Sequence, residues 1–196
     1  MKLTLWKLLN KERQKSFLLN LLFLPITLFK QKVFCISLQR NGTTSVGKFL
    51  RDHGYLVAGH GEASRKWAHN WKEGNINKIL KSIEFNSYQA FEDNICFMPY
   101  FYRILFHKYP NSKFILFYRD ENEWFDSMIR HSNGKTLGNT YLHSMLYNRL
   151  GDFYKIYDEN EKVEIFSTKV DNLLDLKKNK NHYTKFYKIY NRDIIE

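Results

Sequence analysis

The chain has 196 residues, 43% hydrophobic and 17% aromatic, with only nine Gly and three Pro; this excludes a disordered chain and suits one α/β domain with a real core. Lys and Arg number 31 against 20 Asp and Glu, a net +11, so the surface favours anionic partners: a nucleotide, an acidic glycan or anionic lipid. Neither zinc-finger spacing nor an aromatic RNA-binding signature accompanies the charge, which argues against nucleic acid.

The chain opens on an apolar stretch at 17–29, interrupted by Asn20, Pro25 and Thr27 and flanked by Lys and Arg. It is shorter than the roughly 20 residues of a spanning helix and has no small-residue cleavage site. Residues 1–32 are therefore expected to form a basic, apolar helical segment, packed on the domain or against a membrane surface. Residues 33–196 make up the domain. Strand patterns follow at 33–38, 55–58, 88–91, 113–118 and 163–166. Helical patterns lie between them. The one at 43–53 puts Val46, Phe49 and Leu50 on one face and ends at Gly54, a natural left-handed cap. Others span 75–83, 100–109 and 139–158. A further helix starts after Arg119, where Asp120 and Glu123 have capping-box spacing and Trp124, Ser127, Met128 and His131 share a side. Alternating strands and helices predict a three-layer α/β fold: a mostly parallel sheet of about five strands with helices on both faces. Cys35 and Cys96 fall in apolar runs and read as buried thiols of a reducing, cytoplasmic compartment.

The richest chemistry lies where the first strand meets the first of these helices. Arg40-Asn41-Gly42-Thr43-Thr44-Ser45 follows a buried apolar strand and runs directly into a helix. Such a turn aims the free N–H groups of the first helical turn at one spot, on the positive end of the helix dipole. Gly42 permits close approach, the three hydroxyls add donors, and Arg40 adds a fixed charge. A nucleoside triphosphatase loop would need Gly near Leu38 and Lys in place of Thr43, and has neither. A P-loop-like nucleotide kinase is thus the weaker alternative.

The segment resembles the 5′-phosphosulfate loop of the sulfotransferase family, whose common form is Lys/Arg-Ser/Thr-Gly-Thr-Thr; Asn41 stands where Ser or Thr is usual. The stretch 113–127, with Arg119 ending a strand and Ser127 eight residues on, is similar to that family's 3′-phosphate motif. The resemblance covers roughly 33–166 and implies a fold like that of P-loop nucleoside triphosphate hydrolases and a donor, 3′-phosphoadenosine 5′-phosphosulfate, bound without metal by Arg40–Ser45, Arg119 and Ser127. It implies in-line sulfuryl transfer to a hydroxyl of a carbohydrate or other small acceptor, with Arg40 neutralising the leaving bisphosphate. The acceptor's base is left open among His60, Glu62 and Asp93, each near a predicted strand end. Beyond 166 no Arg-Lys-Gly closing segment is evident, which keeps open a non-catalytic, membrane-associated relative.

Overall fold

The computed structural model describes residues 31–59, 62–92, 95–131, 140–155 and 176–196, with the backbone alone at 62–64. They pack as two compact units. One holds the stretch ending at Ile36 together with Thr43–Leu116; the other holds Ser37–Gly42 and Phe117–Glu196. The expected segment at 1–30 and the fifth strand at 163–166 lie outside the described residues. Among the described residues no helix is long and apolar enough to cross a membrane.

The first unit is an α/β layer structure. Its strands β1 (Val33–Cys35), β2 (Val57–Ala58), β3 (Ala90–Phe91) and β4 (Lys113–Ile115) form a parallel sheet in the order β2-β3-β1-β4. Val33 pairs with both Ala90 and Lys113, which makes β1 a central strand. Strand alternation then decides what covers each face. Val33 and Cys35 pack with Val46 and Leu50 of α1 (Thr43–Asp52). Phe34 points the other way, its ring 5.0 Å from Phe91 and 5.7 Å from Tyr109. On that face Trp67 of α2 (Glu62–Lys72) meets Phe85 edge-on at 5.3 Å. Parallel sheets bury both faces, and both are apolar here.

Several elements differ from the expectation in instructive ways. The helix expected over 75–83 is two, α3 (Ile76–Leu80) and α4 (Ile83–Ser87). Ser82 causes the break: its Oγ accepts from the Phe85 N–H at 3.1 Å, so it caps a new helix. The helix α5 (Phe101–Lys108) ends just before Tyr109-Pro110, as proline dictates. Strand β4 stops at Ile115 rather than 118, and the Phe117 N–H goes to Ser37 Oγ at 2.7 Å. Gly54 does cap α1, at φ 80°.

The second unit carries α6 (Glu121–Arg130), α7 (Tyr141–Leu146), α8 (Leu150–Tyr154) and α9 (Lys180–Ile195). Asp120 caps α6 by accepting from the N–H groups of Asn122 and Glu123, at 2.9 and 3.1 Å. The single helix expected at 139–158 is interrupted after α7, where Asn148 takes a left-handed φ of 55°. Helix α9 falls in a Lys-rich tail that promised no element. It packs along α6, with Tyr187 stacked on Trp124 at 4.4 Å and Tyr183 against Phe125 at 6.1 Å.

Lys32, just before β1, is buried and among the described residues has no carboxylate partner. Its ammonium donates to the carbonyls of Phe85, Asn86 and Tyr88 at the end of α4, and lies over the rings of Phe91 and Tyr109. Carbonyls at a helix C-terminus suit a cation, yet burial lowers its pKa from the ordinary 10.5 to about 8. Between those values the unfolded chain binds more protons than the folded one, so folding stability due to this group rises from pH 8 to 10.5. Denaturant unfolding across that range should therefore show a steeper rise, or a shallower fall, for wild type than for Lys32→Met. Parallel profiles would contradict it.

Candidate anion-binding site

The site grows from the turn between β1 and α1. Ser37 and Leu38 are fully buried, so the chain leaves the sheet anchored. It then turns sharply, with Arg40 at φ 68° and Gly42 at φ 85°. A Cβ at Gly42 would meet nothing within 4 Å, so the glycine answers to its φ and not to crowding. A left-handed arginine costs about 1–2 kcal/mol. The surroundings must hold it there.

Five side chains do so from within the second unit. Trp124 donates its indole N–H to the Gln39 carbonyl at 2.9 Å, and the Tyr147 hydroxyl donates to Gln39 Oε1 at 2.8 Å. The Asn41 amide donates to the Leu38 carbonyl at 3.1 Å and accepts at Oδ1 from the Tyr187 hydroxyl at 2.8 Å. The Arg119 guanidinium donates through Nη2 to the Arg40 carbonyl.

These contacts bring together residues from distant parts of the chain. Arg40 Nε points to Ser127 Oγ at 3.4 Å, and the Arg119 N–H donates to the Tyr187 hydroxyl at 3.0 Å. Two guanidiniums and a hydroxyl thus share one locality. Among the described residues neither Arg40 nor Arg119 has an ion-pair partner. The nearest acid in sequence, Asp120, has its carboxylate turned into its own helix, and those N–H bonds hold its pKa below the ordinary carboxylate value. At His131, one turn beyond Ser127, burial and then the Arg40 charge hold the imidazole pKa below 6.5. Among the described residues the locality is positive and short of anions. Such a cluster gains most from a multiply charged oxyanion, which guanidiniums grip by paired hydrogen bonds.

Thr43, Thr44 and Ser45 form the first turn of α1 and belong to the first unit; Thr43 is buried while Thr44 and Ser45 are exposed. They follow Gly42 directly in the chain, and their helix has ten residues. Of the candidate bases, His60 and Asp93 lie outside the described residues. Glu62 is the first residue of α2, and its side chain is not described. Among the described residues there is no group of three or more His, Cys, Asp or Glu suited to a metal ion.

Nothing in the local sequence marks Gln39, Tyr147 or Tyr187 as supports of the turn, and Trp124 reads there only as a helix-face residue. Tyr183, Tyr187 and Tyr190 at i, i+4 and i+7 were the available signal for an amphipathic α9.

A parallel sheet flanked by helices, whose central strand feeds a cationic turn and then a helix, defines an α/β protein. Residues 32–196 match the family described as the sulfotransferase domain, and the chain belongs to that family. It is accordingly a transferase enzyme. No curated protein matches it.

The uncompensated charge has a direct consequence. Inorganic sulfate, added at constant ionic strength with chloride as the balancing salt, should raise the unfolding midpoint of wild type. In Arg40→Ala and Arg119→Ala the rise should fall to less than half. Equal stabilisation of all three proteins would place the anion elsewhere.

Proposed function

We propose that the enzyme takes its sulfuryl group from 3′-phosphoadenosine 5′-phosphosulfate and transfers it to a hydroxyl of a carbohydrate or other small acceptor. The carrying observation is the Arg119–Arg40 carbonyl bond, with both guanidiniums lacking carboxylate partners among the described residues. Two arginine-bearing segments 79 positions apart in sequence lie side by side, an arrangement that supports one ligand with a phosphate at each end. Membership of the sulfotransferase domain family supports the same donor.

In this reading the donor supplies an activated sulfur whose bridging oxygen leaves with the bisphosphate. Arg119 and Ser127 hold the 3′-phosphate. Asn41, Gly42, the hydroxyls of Thr43, Thr44 and Ser45, and the first-turn N–H groups of α1 take the 5′ end. The acceptor oxygen bonds to sulfur as the sulfur–bridging-oxygen bond breaks, and that electron pair goes to the bisphosphate. Arg40 offsets the charge developing there. The acceptor proton passes to a base, for which Glu62, His60 and Asp93 are the candidates. Transfer of this kind depends on alignment and charge more than on covalent participation by the protein. The +11 net charge supports an acidic acceptor, and the basic, apolar segment at 1–32 supports attachment at a membrane surface.

Thermal shift and calorimetry with 3′-phosphoadenosine 5′-phosphate, ATP and GTP, each with and without magnesium, test the donor class. The bisphosphate should stabilise the protein without metal. Arg119→Ala should weaken that binding roughly 30-fold, the scale of a lost charge-assisted pair, with a small effect on folding. Stabilisation by magnesium-ATP alone would point to a kinase and overturn the proposal.

A further inference from the structure

The donor assignment leaves unexplained why a residue from the last helix reaches the turn at all. Tyr187 sits midway along α9, its ring stacked on Trp124 at 4.4 Å and an interplanar angle of 23°. Its hydroxyl makes two bonds of different kinds. It accepts from the backbone N–H of Arg119 at 3.0 Å and donates to the side-chain oxygen of Asn41 at 2.8 Å. One oxygen atom therefore ties the segment carrying Arg119 to the turn carrying Arg40, across 68 and 146 positions of sequence. Burial, the largest influence, raises the phenol pKa above the ordinary 10, so the hydroxyl keeps its proton at neutral pH and remains a donor to Asn41.

The ring is fixed as well as the hydroxyl. Trp124 is clamped at both ends, by its N–H on the Gln39 carbonyl and by the Tyr187 ring on its face. Asn191, one turn on, donates to the Tyr187 carbonyl at 2.9 Å. A hydroxyl held this firmly sets a distance instead of merely filling space.

We propose that Tyr187 is a positioning residue for sulfuryl transfer: its hydroxyl holds the Arg119 segment and the Arg40 turn at the spacing that one bisphosphate nucleotide bridges, so that docking of α9 on α6 completes the donor site. This rests on the donor reading above. Tyr187 touches no reacting atom; it acts through Asn41 and Arg119. The proposal also gives the C-terminal helix a role that its sequence, rich in Lys and Tyr, does not announce.

The test measures affinity for 3′-phosphoadenosine 5′-phosphate by calorimetry in wild type, Tyr187→Phe, Asn41→Ala, their double variant and Tyr183→Phe. Tyr187→Phe keeps the stacked ring and removes only the hydroxyl. Its affinity should fall about tenfold, the scale of one to two hydrogen bonds. Asn41→Ala breaks the same bond from the other side, so the double variant should be weaker than Tyr187→Phe by less than Asn41→Ala alone is weaker than wild type. Tyr183, on the same helix as Tyr187, gives the structural control: Tyr183→Phe loses the contact of its hydroxyl with Arg149 at 3.4 Å and should bind as wild type does. Wild-type affinity in Tyr187→Phe would overturn the proposal, as would equal losses in Tyr187→Phe and Tyr183→Phe or strict additivity in the double variant. If wild type itself fails to bind the bisphosphate, the donor assignment falls first, and this inference with it.

Discussion

The guanidinium of Arg119 donates to the backbone carbonyl of Arg40, and the cluster of Arg40, Arg119 and Ser127 is organised around that bond. Two like charges would ordinarily repel and separate. Here one of them is held by a backbone oxygen of the other, which fixes a local excess of positive charge at a place the chain turns left-handed. The cost of the turn and of the repulsion must be met by neighbours, and it is: Trp124, Tyr147 and Tyr187 each spend a polar atom on the turn rather than on solvent. Strain and like charge held by a rigid surround are common where a ligand will later supply the compensation.

The fold places these groups by simple rules. An unbroken apolar run suits β1 to the centre of a parallel sheet, with aliphatic packing on one face and stacked aromatics on the other. A strand of that kind runs into its turn at the carboxyl edge, where ligands of open α/β sheets bind. Gly47 of α1 illustrates how closely helix and sheet approach. A Cβ there would collide with the Glu92 carboxylate, which follows β3 and accepts from Arg51 at 2.8 Å. Glycine at that position lets the buried carboxylate sit against the helix that begins at Thr43.

Local features were legible in the sequence, and long-range ones were not. The turn from Arg40 to Ser45 could be read because strand, glycine and helix start are contiguous, and the Asp120 cap because its partners lie two and three residues on. Arg119 and Ser127 stood out through resemblance to a motif; nothing in their spacing alone ties them to Arg40. The break at Ser82 is not legible because a run of Ile and Leu at helical spacing masks a capping serine. The break at Asn148 was missed because a left-handed asparagine looks like any polar helix residue. Tyr187 could not be paired with Asn41 from sequence, since 146 positions separate them and only tertiary packing joins them. The split of the domain into two packing units is likewise a property of contacts, invisible to pattern.

A crystal structure of the enzyme with 3′-phosphoadenosine 5′-phosphate tests the central claim most directly. The account predicts a single nucleotide with its 3′-phosphate in hydrogen-bond reach of Arg119 and Ser127 and its 5′-phosphate against the turn at Asn41 and Gly42. A nucleotide bound away from either segment, or one whose second phosphate projects into solvent with Arg40 and Arg119 still joined as in the free protein, would contradict it.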